Sequence, residues 1–328
     1  MTSCPLHPRA ICVLTASLAL IGAACSSASH ASAPPLTTAA AATTTTVALA
    51  SYDVGTREET YIDATRPTAR NGAYPGAPTR TLRTRFYFPT QHGVPARTGA
   101  PFPIVLFSHG WTGTPEAYQL LLKQIASSGF VVVAPAYPLS NGAAPGGATI
   151  GDLLNQPKDA SLVLDHVLAE AKGNTWLTGF VDPSRIAAGG HSLGAFTTYG
   201  LVYNGCCRDA RIKAAFVMSG IAAAFPKAKF FTGIDTPLLA THGDHDELVA
   251  YSGGRTSFDR ANKPKYFMTI LGGKHTSEEL GGNSPKQQLL AHAIIDFLKI
   301  YLDHDAAARA DLKTVGDTSG STTLIAQS

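Results

Sequence analysis

From Pro103 to Asp303 short apolar runs alternate with amphipathic segments, and this alternation restricts the fold more than any other property of the chain. Ile104-Val105-Leu106-Phe107 is apolar without interruption, the pattern of a strand covered on both faces. A helix is expected from Pro115 to Ser128. Thr114 suits its N-cap and Pro115 its first position, Tyr118, Leu121, Leu122 and Ile125 recur on one face, and Gly129 can supply the left-handed stop. Phe130-Val131-Val132-Val133 then completes a βαβ unit. The pattern continues with a helix from near Pro157, a strand from Arg185 to Ala188 and a helix after Ser192. Strands follow at Ala214 to Met218, Pro237 to Ala240 and Tyr266 to Ile270, then a helix from Pro285 to Leu302. Such a chain is expected to form an α/β fold, with a mostly parallel central sheet and helices on both faces. Thr81 to Phe88 and Glu59 to Ala64 lack an intervening helix and are expected as antiparallel edge strands. No segment reads as a large inserted cap domain.

The flanking regions divide the chain. Arg9, an apolar core from Ile11 to Ile21 and the small residues Gly22-Ala23-Ala24-Cys25 read as an export signal over residues 1–25. Its apolar run is shorter than the roughly 18 to 20 residues needed to span a bilayer. Cys25 resembles the lipidated cysteine of a bacterial lipoprotein signal, although Gly22 stands where Leu is usual; ordinary cleavage near Ala31-Ser32-Ala33 is the alternative. Residues 26–50 are almost entirely Ala, Ser, Thr and Pro and read as a linker. The catalytic domain is expected over 51–305 and a flexible tail over 306–328. The protein is therefore expected to be exported, secreted or lipid-anchored on the outer side of the bacterial cytoplasmic membrane, and monomeric. A net charge of +3 with no run of Lys or Arg excludes a nucleic-acid binder. Of the five cysteines, Cys206 and Cys207 lie in the domain. Their adjacent Cα atoms, about 3.8 Å apart, fall below the usual disulfide range, so a bridge between them would be strained and no folding staple, and the sequence leaves open whether it forms.

Gly190-His191-Ser192-Leu193-Gly194 carries the chemistry. An expected strand precedes it and an expected helix of small and apolar residues follows, the context in which G-x-S-x-G forms a nucleophile elbow. The tight turn lifts the Ser192 hydroxyl above the carboxyl end of the sheet, at a helix N-terminus whose dipole favours negative charge. A serine hydroxyl needs a base, and the base an orienting acid. In chain order these follow the serine: Asp246, in Thr241-His242-Gly243-Asp244-His245-Asp246, and His275, in Gly272-Gly273-Lys274-His275, both past strand ends. Among eleven histidines, His7 and His30 precede the domain and His166 and His292 fall within helices. Asp244 is a rival acid, and the member of the pair that is not the acid is expected to form a turn. A tetrahedral oxyanion needs two donors. The amide of Leu193 is one; the other is expected from Ser108-His109-Gly110-Trp111-Thr112, with Trp111 as donor and His109 orienting the loop. No cofactor and no catalytic metal are expected, the Asp244-His245-Asp246-Glu247 cluster being read as an acid loop.

These segments resemble the α/β-hydrolase superfamily, in the branch of cutinase-like polyester hydrolases, chlorophyllase-like esterases and platelet-activating-factor acetylhydrolase-like lipases. The resemblance runs from Pro103 to Asp303. It rests on SHGWTG, on Asp182-Pro183-Ser184-Arg185-Ile186 leading into GGHSLG, on HGDHD and on GGKH. Thr65-Arg66-Pro67 and the run from Gly76 to Leu82 resemble the lipase-like members as well. It implies Ser192, Asp246 and His275 as triad, Trp111 and Leu193 as oxyanion donors, and a small-molecule or polymeric ester as substrate. Many secreted polyester hydrolases fasten the C-terminal helix with a disulfide, and this chain has no Cys after Cys207. Dienelactone hydrolase, another relative, has Cys at the elbow where this chain has Ser. Serine ester hydrolysis is the leading expectation; polyester hydrolysis, transacylation in the cell envelope and an inactive binding protein are the alternatives. The segment from Pro138 to Gly151 is read as either a flap beside the site or a long surface connection.

Overall fold

Successive residues of a strand point to opposite faces, so a strand that is apolar throughout needs a hydrophobic layer on each side. The computed structural model, which describes residues 52–225, 229–276, 278, 280 and 282–328, has that arrangement. Ile104, Leu106, Val131, Val133, Ile186 and Ala188 enter one core, while Val105, Phe107, Val132, Ala134 and Ala187 enter the other. The strands are β1 (Asp53–Asp63), β2 (Arg80–Gln91), β3 (Val94–Pro95), β4 (Phe102–Ser108), β5 (Val131–Ala136), β6 (Val181–His191), β7 (Ala214–Met218), β8 (Leu238–Gly243), β9 (Lys265–Ile270) and β10 (Thr322–Gln327). They form one sheet ordered β1-β2-β5-β4-β6-β7-β8-β9-β10, with β3 against β2. Pairing is parallel from β5 through β9 and antiparallel at both margins.

The helices are α1 (Gln119–Ser127), α2 (Gln156–Lys172), α3 (Leu193–Tyr203), α4 (Tyr251–Arg260), α5 (Pro285–Leu298) and α6 (Ala307–Gly316). Helix α2 brings Ala160, Val163, Leu164 and Val167 to the first core, joined by Tyr199 of α3 and Phe258 of α4. Helices α1, α5 and α6 line the second through Leu121, Leu122, Ile125, Leu290, Ile294, Phe297 and Leu312. Each large side chain so buried contributes about 1.5–3 kcal/mol relative to exposure. The result is the α/β-hydrolase fold.

Several boundaries differ from the sequence reading. Pro115–Tyr118 is a 3₁₀ turn ahead of α1, and Lys299–Asp303 is a π turn continuing α5. Residues 306–328, expected as a flexible tail, instead form α6 and β10, the latter pairing with β9 from Thr322↔Ile270 to Gln327↔Lys265. Buried contacts of Ala308, Leu312 and Val315 outweigh the polar composition that suggested fraying. Cys206 and Cys207, whose bridging the sequence left open, form a vicinal disulfide in the chain after α3, across adjacent Cα atoms 3.8 Å apart. The expected signal, Cys25 and the linker lie outside the described residues.

Candidate active site

Strand β6 ends at His191 and α3 begins at Leu193, which leaves Ser192 alone in the turn. Its backbone sits at φ 54°, ψ −121°, a region that costs a residue with a side chain about 1–3 kcal/mol. The Ser192 amide donates to the Met218 carbonyl at 2.9 Å, pinning the turn to β7. Both flanking glycines are required by close approach. A Cβ on Gly190 would lie 2.3 Å from the Gly194 carbonyl oxygen, and one on Gly194 2.0 Å from that of Ser108. Ser192 remains partly exposed, above the positive end of α3.

The loops after β8 and β9 bring Asp246 and His275 to this serine. His275 Nε2 is 2.8 Å from Ser192 Oγ, and His275 Nδ1 is 2.8 Å from Asp246 Oδ2. The other carboxylate oxygen accepts the amides of Leu248 at 2.9 Å and Val249 at 2.8 Å. Burial pushes the Asp246 pKa up, but the donors from Val249, His275 and Leu248 outweigh it and hold the carboxyl below its ordinary value. An anionic Asp246 accepts from Nδ1–H, which leaves the Nε2 lone pair facing the serine hydroxyl. Asp244, the rival acid, instead accepts the Gly272 amide at 2.6 Å. Gly243 lies so close to the next loop that a Cβ there would be 2.2 Å from the Gly273 carbonyl oxygen. The two loops are therefore packed backbone against backbone.

Strand β4 delivers the remaining loop. Ser108 Oγ is 2.7 Å from the Tyr137 hydroxyl. The Tyr137 amide donates to His109 Nε2 at 3.0 Å, so the ring proton sits on Nδ1 and is donated to the Gly110 carbonyl at 2.7 Å. Burial lowers the His109 pKa to about 4, so this ring is neutral and orients the loop. Trp111 follows, its side chain 49% exposed at the surface. Among the described residues no backbone carbonyl accepts from the Trp111 amide, and the Leu193 amide lies in the first turn of α3, where no intrahelical acceptor exists.

Three features escape a reading by motif. His242 Nε2 lies 2.8 Å from the Val249 carbonyl and 3.2 Å from Asp246 Oδ2, so the acid is held by a second histidine. Burial lowers the His242 pKa. The segment 138–151, left open as flap or connection, is hydrogen-bonded to the Trp111 loop: the Thr112 amide donates to the Ser140 carbonyl at 2.8 Å and the Gly142 amide to that of Gly113 at 3.3 Å. Behind it, Gln156 Nε2 donates to Ser140 Oγ at 2.7 Å, and the buried Arg80 pairs with Asp152 and Asp159. Third, Tyr118, one of the apolar stripe of the first helix, turns its hydroxyl to His191. The spacing His242-x-x-x-Asp246 was a visible signal for the first; nothing local announced the other two.

No curated protein matches the chain. Residues 88–224, which contain the Trp111 loop and the Ser192 elbow and end before Asp246 and His275, match the chlorophyllase family model, a family of α/β-hydrolase type.

Proposed function

We propose that the chain is a serine carboxylic-ester hydrolase with Ser192 as nucleophile, His275 as general base and acid, and Asp246 as the orienting carboxylate. The observation that carries this reading is the hydrogen-bonded line from Ser192 Oγ through His275 to Asp246, 2.8 Å at each link, on an elbow in a strained conformation. In the first half-reaction His275 Nε2 takes the hydroxyl proton as Oγ attacks the acyl carbonyl. The oxyanion accepts from the Trp111 and Leu193 amides. Imidazolium, steadied by Asp246, protonates the leaving alcohol and an acyl-enzyme remains. Water, deprotonated by the same nitrogen, then attacks the acyl carbon, and collapse of the second tetrahedral species returns the proton to Ser192. Only protons and an acyl group move, so these steps call for no cofactor.

Exposed apolar side chains support an ester with an apolar acyl group: Trp111 at 49%, Leu248 at 75% and Leu280 at 40% stand on the loops of the oxyanion donor, the acid and the base. Residues 1–25 support export, with the monomeric enzyme acting outside the cytoplasmic membrane. A mature N-terminus at a lipidated Cys25 in an intact-mass spectrum would identify the anchored form.

Ser192→Ala is the direct test. It should reduce turnover of p-nitrophenyl esters by about 10⁴-fold or more and abolish labelling by a fluorophosphonate, while leaving the far-ultraviolet circular dichroism unchanged. Wild-type turnover in that variant would sink the assignment. A series of acyl chain lengths, with a triglyceride and an aromatic polyester beside it, then identifies the acyl group.

A further inference from the structure

Strands β4 and β9, whose loops carry Trp111 and His275, are separated in the sheet by β6, β7 and β8. The backbone ladder does not join these loops directly. A chain of buried polar groups does. Gly110 N–H donates to the Tyr118 hydroxyl at 3.0 Å, that hydroxyl is 2.8 Å from His191 Nδ1, and His191 Nε2 is 2.8 Å from the His275 carbonyl oxygen. Tyr118 and His191 are each 1% exposed, and neither has a step in acyl transfer.

The direction of each bond follows from what its atoms can do. A peptide carbonyl only accepts, so His191 Nε2 carries the hydrogen. In the neutral ring Nδ1 is then a lone pair, and the Tyr118 hydroxyl must donate to it. The same hydroxyl oxygen accepts from Gly110. Burial supports the neutral ring, lowering the His191 pKa to about 3. Gly110 is suited to the arrangement as well, because a Cβ there would lie 2.9 Å from the Tyr118 hydroxyl, 3.3 Å from His191 Nδ1 and 3.3 Å from Ser192 Cβ. The ring of His191 also lies against that of His275, centroids 4.9 Å apart.

We propose that Tyr118 and His191 are positioning residues: the relay from Gly110 through Tyr118 and His191 to the His275 backbone holds the oxyanion loop, the elbow and the base loop in register. It rests on the reading of Ser192, His275 and Asp246 as the triad. Each bond ends on a different catalytic piece, and His191 is itself the residue before the nucleophile. Losing the relay lets the Trp111 amide and the His275 ring drift relative to Ser192 Oγ, and errors of about 1 Å cost on the order of 10²-fold in rate.

Tyr118→Phe keeps the ring against Phe107 and deletes only the hydroxyl. Its expected kcat is lower by about ten- to a hundredfold, with KM within about twofold. Affinity for an alkylboronic acid, whose tetrahedral serine adduct needs the oxyanion donors, should fall in parallel. His191→Gln and the double variant complete the cycle. One relay predicts that the double variant is no slower than the slower single variant, whereas additive losses would mean two independent packing contacts and overturn the proposal. So would wild-type kcat and boronate affinity in Tyr118→Phe. If His191→Gln fails to fold, Tyr118→Phe decides the matter alone. Ser192→Ala, assayed alongside, separates the two readings: an inactive Ser192→Ala beside a fully active Tyr118→Phe overturns the relay only, and an active Ser192→Ala overturns the site on which the relay rests.

Discussion

Asp244 and Asp246 are chemically identical and two positions apart, yet their surroundings give them different roles. Asp246 has one oxygen on the Leu248 and Val249 amides and the other on His275. Asp244 meets the Gly272 amide. Asp246→Asn should therefore lower kcat by about 10⁴-fold, because an amide nitrogen facing Nδ1 favours the tautomer that puts a proton toward Ser192. Asp244→Ala should lower kcat by less than about tenfold and cost about 1 kcal/mol of stability, the value of one hydrogen bond. Ester kinetics and urea unfolding of the two variants check both statements, and equal kinetic losses would contradict the assignment of the acid. The sequence reading favoured Asp246 and kept Asp244 as its rival; the loop's path brings the Asp246 carboxylate to His275.

At the scale of elements, the catalytic geometry depends on parts far from it in sequence. Helix α4 has an unpromising composition, with Gly253 and Gly254 in its first turns. Packing explains them: a Cβ on Gly254 would lie 2.3 Å from His242 Nδ1, and one on Gly253 2.5 Å from the Ile221 side chain. The helix is narrow where it must lie against the histidine that holds Asp246. Likewise α6 and β10 close the sheet beside β9, and the Leu271 amide at the root of the base loop donates to the Ser321 carbonyl at 2.9 Å. A chain ending at Asp305 should lose about 3–6 kcal/mol, the burial that Leu312 and Val315 contribute to the second core at about 1.5–3 kcal/mol for each side chain. It should also hydrolyse esters more slowly, because the His275 loop loses that anchor. A truncated chain with wild-type unfolding midpoint and kcat would return these residues to the status of a dispensable tail.

For the whole molecule, buried titratable groups set how stability responds to pH. Burial lowers His109 from 6.5 to about 4 and His191 from 6.5 to about 3. Below pH 6.5 the unfolded chain takes up these protons and the folded chain does not, so this contribution falls as pH drops toward about 4. Asp296 on α5 acts in the opposite sense. Burial raises it from 3.8 to about 7, so in that window the folded chain holds the extra proton and stability rises as pH falls. Asp296→Asn should stabilise the protein above pH 7, and this advantage should shrink by about 1.4 kcal/mol for each unit of acidification below it. Urea unfolding of both proteins between pH 8 and pH 5 should therefore give the variant the steeper loss; parallel curves would show that Asp296 ionises normally.

The sequence by itself determined the parallel sheet, the strand-turn-helix elbow at Ser192 and the loops past strand ends that carry Asp246 and His275. These depend on local demands: apolar runs that need cover on two faces, glycines where the turn leaves no room for a Cβ, and loops that begin where strands end. Tertiary structure alone decided that His242 backs Asp246. It also turned the last residues into a helix and a strand, and took Tyr118 from a hydrophobic stripe into a polar relay. Each of those outcomes depends on partners tens of residues away, whose approach is set by packing and not by neighbours along the chain. Ser192 could be found from five consecutive letters. What holds its surroundings in place could not.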